Sequence, residues 1–211
     1  KVPLVKDMNQ DEYVAVGKIL RQGYEVHGYF PHQFCIASLV CAIHGRGEVS
    51  EELLHISCCN FLGPNTKTVI ERIFTDKEIT NEDRETLISI SNDFKSGTFA
   101  SFETSWLKYA ISELLDKPNP AFQGLALDFL SEDPNFKTGE TIKEYLSSLK
   151  PERLAVKRAL KPSKIQSHTE QRAFDDLKKY VMELNDTRLD RFLRFTTGTN
   201  RLDKNTHIEV H

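Results

Sequence analysis

The sequence predicts a mainly α-helical fold with one β-strand close to its carboxyl end. Apolar residues recur at helical intervals along most of the 211 residues. Strict alternation of apolar and polar residues is confined to residues 206–210, which predicts the strand. Hydrophobic residues make up 39% of the chain, so it can bury a core and is not expected to be disordered.

The first two predicted helices form a hairpin. Residues 9–11 are polar and can cap a helix over about residues 10–26, which Gly28 ends. Pro31 then opens a second, mostly apolar helix that stops at Gly45. Because this second helix has almost no polar face, we expect it to be buried nearly all round.

Further helices are predicted between the next capping and turn-forming residues. Ser50 starts a short helix, and residues 63–65 separate it from the next. Thr80 begins another with acidic residues in its first turn, and we expect it to continue past Phe94 to Gly97. A helical pattern over residues 99–115 comes after it.

The last third of the chain continues this pattern. Residues 118–120 form a proline hinge, and Thr138 begins one more helix. Residues 150–164 are basic, with a proline near each end and room for a short helix. Residues 161–167 are the predicted linker, with Pro162, Ser163 and Ser167 as its hinge positions.

The charge distribution indicates two parts. Residues 1–149 carry 14 Lys and Arg against 22 Asp and Glu, a net charge of −8. Residues 150–204 carry 14 against 8, a net charge of +6. Because acidic residues interrupt the basic segment, nucleic-acid binding is not expected.

The four cysteines lie with two histidines in one part of the sequence. Helical spacing pairs Cys41 with His44 and His55 with Cys58, and such pairs could hold zinc. Burial of Cys35, Cys41, Cys58 and Cys59 as small apolar side chains is favoured instead, since all lie in or beside apolar runs. A Cys-His nucleophile is disfavoured for the same reason. No metal, cofactor or catalytic residue is predicted.

Several broad classes are excluded. No apolar run reaches the length of a membrane span, and no phosphate-binding loop or hydrolase motif occurs. The absence of a disulfide pattern indicates a reducing intracellular compartment, cytoplasm or nucleus. The opening Lys1 and the lack of a signal-like segment suggest a piece of a longer protein.

Two segments resemble the HECT domain of E3 ubiquitin ligases. In residues 16–34, the helix containing Gly17-Lys18-Ile19 leads to a His27-Gly28 turn and then to an apolar helix that ends in glycine. In residues 189–202, the apolar run of Phe192, Leu193 and Phe195 ends in a Thr-Thr-Gly-Thr turn, similar to the "FL-F-TG" segment of the HECT C-lobe.

This resemblance implies a helical N-lobe-like domain over residues 1–160 and the start of a small α/β C-lobe-like domain over residues 168–211. The linker would then be the hinge on which the C-lobe swings. Phe195, Thr197 and Gly198 would form the C-lobe turn. HECT ligases carry ubiquitin on a cysteine beyond this turn, so none of the four cysteines inherits that role and the domain is incomplete or inactive as given.

The implied partners are a ubiquitin-conjugating enzyme (E2), ubiquitin and a protein substrate. Tyr29 and Phe30 are candidate E2 contacts, taken as exposed aromatics, although core packing at a helix junction is the commoner role of such residues. The alternative function is a non-catalytic helical adaptor that binds another protein through its helix faces. A basic segment that meets nucleic acid is the third and weakest possibility.

Overall fold

A computed structural model describes residues 8–95, 98–165, 167–198, 202 and 207–210. The described chain is mainly helical, as predicted, with one pair of short parallel strands. Its contacts divide it into two compact units, Lys1–Leu146 and Ser147–His211.

The first unit is built from helices joined by short turns. The helices are α1 Gln10–His27, α2 Ile36–His44, α3 Glu51–Phe61, α4 Pro64–Asp76, α5 Asn81–Ile90, α6 Phe99–Ile111, α7 Asn119–Leu125 and α8 Gly139–Ser148, whose last two residues fall in the second unit. Four 3₁₀ turns, Arg46–Glu48, Asn92–Lys95, Leu127–Leu130 and Pro134–Phe136, and a π turn, Ser112–Asp116, lie between them.

Local capping explains where the predicted helices start. The Asn9 side chain accepts from the backbone N–H of Glu12, whose carboxylate accepts from the N–H of Asn9. Thr80 and Asp83 form the same reciprocal pair at α5, and Ser50 caps α3. These caps satisfy backbone donors that a helix start leaves unpaired, and they confirm the predicted starts at residues 10, 51 and 81.

The second helix begins later than predicted. It starts at Ile36 instead of Pro31, because Cys35 has an extended backbone and its carbonyl accepts the first helical hydrogen bond from Leu39. The preceding turn directs the Phe34 ring to within 5.4 Å of the Phe30 ring and 5.9 Å of the Phe122 ring, measured between centroids. The expected burial is confirmed for residues 37–40, which are all buried, whereas Ile36 and residues 41–44 are only partly buried.

The fifth helix ends earlier than predicted. Ser91 is extended (φ −155°, ψ 140°), and its hydroxyl accepts from the backbone N–H of Asp93 at 3.2 Å. This side-chain bond competes with continuation of the helix. A 3₁₀ turn follows and brings Phe94 into the core, where it is 2% exposed. Gly97, the predicted stop, lies outside the described residues.

The core of the first unit is rich in aromatic residues. Phe94, Phe102 and Trp106 have ring centroids 5.5 to 6.2 Å apart, and Phe74 packs at their edge. Aliphatic residues from α3, α4, α5 and α6 complete the cluster. Burial of these large side chains is the main stabilising term for the unit.

The second unit contains α9 Arg153–Ala159, β1 Leu160–Pro162, α10 His168–Glu183, α11 Asp186–Thr197 and β2 Ile208–Val210. β1 and β2 pair in parallel, with Leu160 opposite Ile208 and Pro162 opposite Val210. The predicted C-terminal strand is confirmed for Ile208–Val210, whereas residue 206 lies outside the described residues. β1 was not predicted, because three residues that include a proline carry no strand pattern.

The boundary between the units precedes the predicted linker. Val156, Ala159 and Leu160 are buried with Phe174 and Val181 in the core of the second unit. Helix α9 and Leu160, which are predicted to belong to the N-terminal domain, therefore pack with the C-terminal helices.

Candidate protein-interaction surfaces and the cysteine cluster

Glycines allow α1 to pack directly on α7. A Cβ atom added to Gly17 would lie 2.2 Å from the carbonyl oxygen of Leu125, and one added to Gly124 would lie 2.4 Å from the Cβ atom of Tyr13. Neither site has room for a side chain. Gly17, a signature residue of the first HECT-like segment, thus serves helix packing.

Gly28 ends α1 in the left-handed conformation, with φ 58°. Its N–H donates to the carbonyl of Tyr24 at 2.8 Å, and the N–H of Tyr29 donates to the carbonyl of Gly23 at 3.1 Å. These bonds satisfy the last carbonyls of the helix. The Tyr145 hydroxyl donates to the carbonyl of Gly28 at 3.0 Å and holds the turn from outside.

The two candidate E2 contacts differ in exposure. Phe30 is 1% exposed, with its ring centroid 5.1 Å from that of Phe136 and 6.3 Å from that of Tyr24. Tyr29 is 37% exposed. The expectation that both aromatics are exposed is therefore wrong for Phe30, whose ring fills the aromatic cluster behind the turn.

Tyr24 anchors the end of α1 to a later loop. Its hydroxyl donates to Asp133 Oδ2 at 2.6 Å and accepts from Asn135 Nδ2 at 3.3 Å. Burial, and then the hydrogen bond to Asp133, raise the pKa of Tyr24 to about 12. The phenol is neutral at physiological pH, so it is a structural donor and not an acid-base group.

An exposed apolar face lies on α1 opposite the α7 contact. Ile19 is 69% exposed and Val26 is 64% exposed. They are seven residues apart and therefore share one side of the helix. The Tyr29 ring borders this side, because its Cδ1 atom is 3.8 Å from the Cβ position of Gly23. We call Ile19, Val26 and Tyr29 the α1 surface.

The predicted hinge residues have fixed partners in the second unit. Pro162 belongs to β1, and both the N–H and the hydroxyl of Ser163 donate to the carbonyl of Val210, at 3.1 and 3.2 Å. Ser167 caps α10 by accepting from the N–H of Glu170. Gln166 lies outside the described residues. Pro162 and Ser163 also line an open groove of about 650 Å³ beside Phe174.

The predicted C-lobe turn ends α11. Gly198 has φ 76°, and its N–H donates to the carbonyl of Arg194 at 3.0 Å. The Thr197 hydroxyl donates to the carbonyl of Leu193 at 2.8 Å. Phe195, the aromatic residue of this motif, is 90% exposed. The turn therefore leaves its phenylalanine outside the core.

The structure brings one Cys-His pair together, Cys59 and His55. The indole N–H of Trp106 donates to His55 Nδ1 at 3.1 Å. Since indole is only a donor, Nδ1 is the acceptor and the neutral imidazole carries its proton on Nε2. That atom lies 3.7 Å from Cys59 Sγ. The imidazole thus presents a proton to the thiol and cannot act as its base.

The electrostatic surroundings also disfavour a reactive thiolate. Burial raises the pKa of Cys58 to about 12 and that of Cys59 to about 11, and it raises the pKa of Cys41 as well. Burial lowers the pKa of His55. The four cysteines are all unpaired thiols. Cys58 and Cys59 are buried as expected, whereas Cys35 and Cys41 are only partly buried. At neutral pH Cys58 and Cys59 are protonated thiols, and the imidazole of His55 beside Cys59 is uncharged.

The alternative of a zinc site is not supported by the geometry. His44 contacts the carbonyl oxygen of Phe136 at 2.6 Å, and His55 is held by Trp106. Over the residues that the structure describes, no three His, Cys, Asp or Glu side chains are grouped so that they could hold a metal ion. Likewise, no helix in the described ranges is long and apolar enough to cross a membrane.

Comparison with known proteins found no matching family model, curated protein or solved structure. The function of the chain is therefore inferred from its own residues.

Sequence reasoning missed three of the residues that shape these surfaces. Gly124 left a weak signal, as an isolated glycine within a mostly apolar segment, residues 121–127. Asp133 and Trp106 left none, because their partners Tyr24 and His55 are 109 and 51 residues away in the sequence.

Proposed function

We propose that the chain is part of a HECT-like E3 ubiquitin ligase domain and that it supports ubiquitin transfer by binding an E2. The observation that carries this proposal is the α1 surface, an exposed apolar face within the first HECT-like segment. Apolar and aromatic side chains of this kind anchor protein interfaces. A helical unit followed by a unit with a small sheet also agrees with what the resemblance implies.

The proposal gives no catalytic role to the four cysteines. Cys58 is fully buried and Cys59 is 2% exposed. Ubiquitin transfer needs an accessible thiolate, and burial keeps both groups protonated. We therefore propose that this part of the domain holds the E2 without forming a thioester on Cys58 or Cys59, in a reducing compartment inside the cell.

A non-catalytic helical adaptor is the second candidate. It is favoured by Phe195, which is 90% exposed on α11, in a part of the molecule separate from the α1 surface. A protein that presents an apolar residue in each unit could bring other proteins together with no ubiquitin chemistry. This function needs no E2.

The test is binding to a panel of purified E2 enzymes, measured by biolayer interferometry with and without ubiquitin loaded on the E2. We expect at least one E2 to bind, and the double variant I19S/V26S to weaken binding by about tenfold. The matched control is I56S/I88S, since Ile56 and Ile88 are 45% and 43% exposed elsewhere on the first unit. It should bind as the parent does.

Two results would contradict the proposal. Failure of every E2 in the panel to bind would leave the adaptor as the better function, and equal weakening by the two double variants would remove the α1 surface as the site. The claim that no thioester forms on Cys58 or Cys59 is tested by a separate measurement. A ubiquitin adduct that forms on the chain, is cleaved by dithiothreitol and disappears on Cys58→Ser or Cys59→Ser substitution would refute it.

A further inference from the structure

Helix α11 carries an exposed phenylalanine among arginines. Arg188, Arg191, Arg194 and Phe195 are all exposed. Arg191 is four residues before Phe195 and Arg188 is seven before it, so the three side chains lie in a row on one side of the helix. Arg194 borders this row. We call Arg188, Arg191 and Phe195 the Arg-Phe stripe.

Among the described residues of the second unit, the stripe is not part of the hydrophobic core. Leu189 and Leu193, on the opposite side of α11, are buried in the core of the unit. Within the described part of the chain, neither Arg188 nor Arg191 has a carboxylate at ion-pair distance, whereas Arg153 pairs with Asp186 at 3.7 Å. The two guanidinium groups and the Phe195 ring are therefore available to another molecule.

We infer that the Arg-Phe stripe binds an acidic segment of another protein, one that carries an apolar side chain among its carboxylates. Arginine forms bidentate hydrogen bonds with carboxylates, which fixes the position of the partner chain. Phe195 would supply the apolar anchor at the carboxyl end of the row, one helical turn beyond Arg191. Arginine and aromatic residues together make up many of the strongest contacts at protein interfaces.

The size of the stripe favours a short acidic peptide over a nucleic acid. From Arg188 to Arg194 the helix rises about 9 Å, and this length carries three guanidinium groups. Binding to a nucleic acid gains affinity with each phosphate that is neutralised, so it needs a longer basic track. A few guanidinium groups over this length, followed by one exposed ring, match a few carboxylates next to one apolar residue.

This inference does not depend on E2 binding. The Arg-Phe stripe lies in the second unit and the α1 surface lies in the first. Variants of one surface leave the other unchanged, so the two proposals can fail separately.

The experiment is fluorescence anisotropy with a labelled peptide in which glutamates flank a single leucine. The whole chain should bind this probe, and should not bind a matched peptide in which glutamine replaces every glutamate. F195S and R188Q/R191Q should each weaken binding by about tenfold or more. All three positions are exposed, so the variants should keep the parent circular dichroism spectrum.

Two controls separate a specific site from general attraction. R158Q/R172Q removes the same charge from exposed positions of the same unit, and Y180S removes an aromatic residue that is 53% exposed on α10. Both should bind the probe as the parent does. Equal losses in R158Q/R172Q and R188Q/R191Q, or no binding of the glutamate peptide, would overturn the inference. Displacement of the peptide by a lower concentration of oligouridylate would identify a nucleic-acid surface instead.

Discussion

The two motif segments of the sequence, residues 16–34 and 189–202, use their motif residues in opposite ways. In the first, Gly17 and Phe30 are enclosed, by the α7 backbone and by an aromatic cluster. In the second, Phe195 is 90% exposed, although it also lies within three residues of a helix-ending glycine, Gly198. Two similar patterns of apolar residues and glycine thus correspond to a packed junction in one unit and an open surface in the other.

The largest effect should come from the two motif phenylalanines. Phe30→Ala leaves a cavity in the aromatic cluster and should lower the free energy of unfolding by about 3 to 5 kcal/mol. Phe195→Ala removes an exposed ring and should change it by less than about 0.5 kcal/mol. Urea unfolding followed by circular dichroism measures both. If the two variants lost similar free energies of unfolding, the two phenylalanines would not differ in burial as described.

The next effect should come from glycines on α1. Gly17→Ala forces a methyl group against the Leu125 carbonyl, so the helices must move apart, at a cost of about 1 to 3 kcal/mol. Gly23→Ala is the control on the same helix, because its nearest atoms are 3.8 Å from the new methyl group. It should leave stability unchanged or raise it by about 0.5 kcal/mol. The same urea measurement distinguishes the two.

Replacing the glycine of either motif turn with alanine should lower the free energy of unfolding by a smaller and similar amount. Gly28 and Gly198 have φ 58° and 76°, and neither has an atom within 4 Å of the added Cβ position. Alanine should therefore cost only its backbone strain, about 1 kcal/mol at each site. Gly47→Ala is the control, since that glycine is equally uncrowded without a positive φ. A much larger loss at one turn would mean that the two glycines have different roles.

The smallest effect should be a loss of stability of the first unit at acid pH, caused by protonation of His55. Burial lowers the pKa of His55 below its usual 6.5, so the unfolded chain binds a proton more readily than the folded one. The neutral His55 therefore makes its full contribution to the free energy of unfolding above about pH 6.5. This contribution is lost as the pH falls through the pKa of His55 in the folded chain. Titration of the His55 ring by NMR checks this. A value at or above 6.5 would contradict the prediction.

The sequence predicted what depends on neighbours along the chain. The mainly helical fold, the caps at Asn9, Ser50 and Thr80, and the turn at Gly28 all follow from local spacing. The sequence did not predict features that depend on contacts between residues far apart in the chain. The opposite exposures of Phe30 and Phe195 depend on which helices pack beside them, and β1 exists only because Ile208–Val210 returns to pair with it.

The candidate surfaces show the same limit. Tyr29 is a candidate from the sequence and is exposed, but the sequence does not distinguish Ile19 and Val26 from the other apolar residues of the first predicted helix. The packed side of α1 is identified only by the close approach of Gly17 and Gly124 to their partners. With that side known, the opposite side becomes a candidate for binding.

Trp106 gives the molecule a built-in optical reporter. It is the only tryptophan in the chain, and it lies 3% exposed in the core of the first unit with its indole N–H bonded to His55. Its emission should therefore follow the melting of the first unit and be insensitive to that of the second. The difference between a fluorescence curve and a curve from helical content would then separate the two units without cutting the chain.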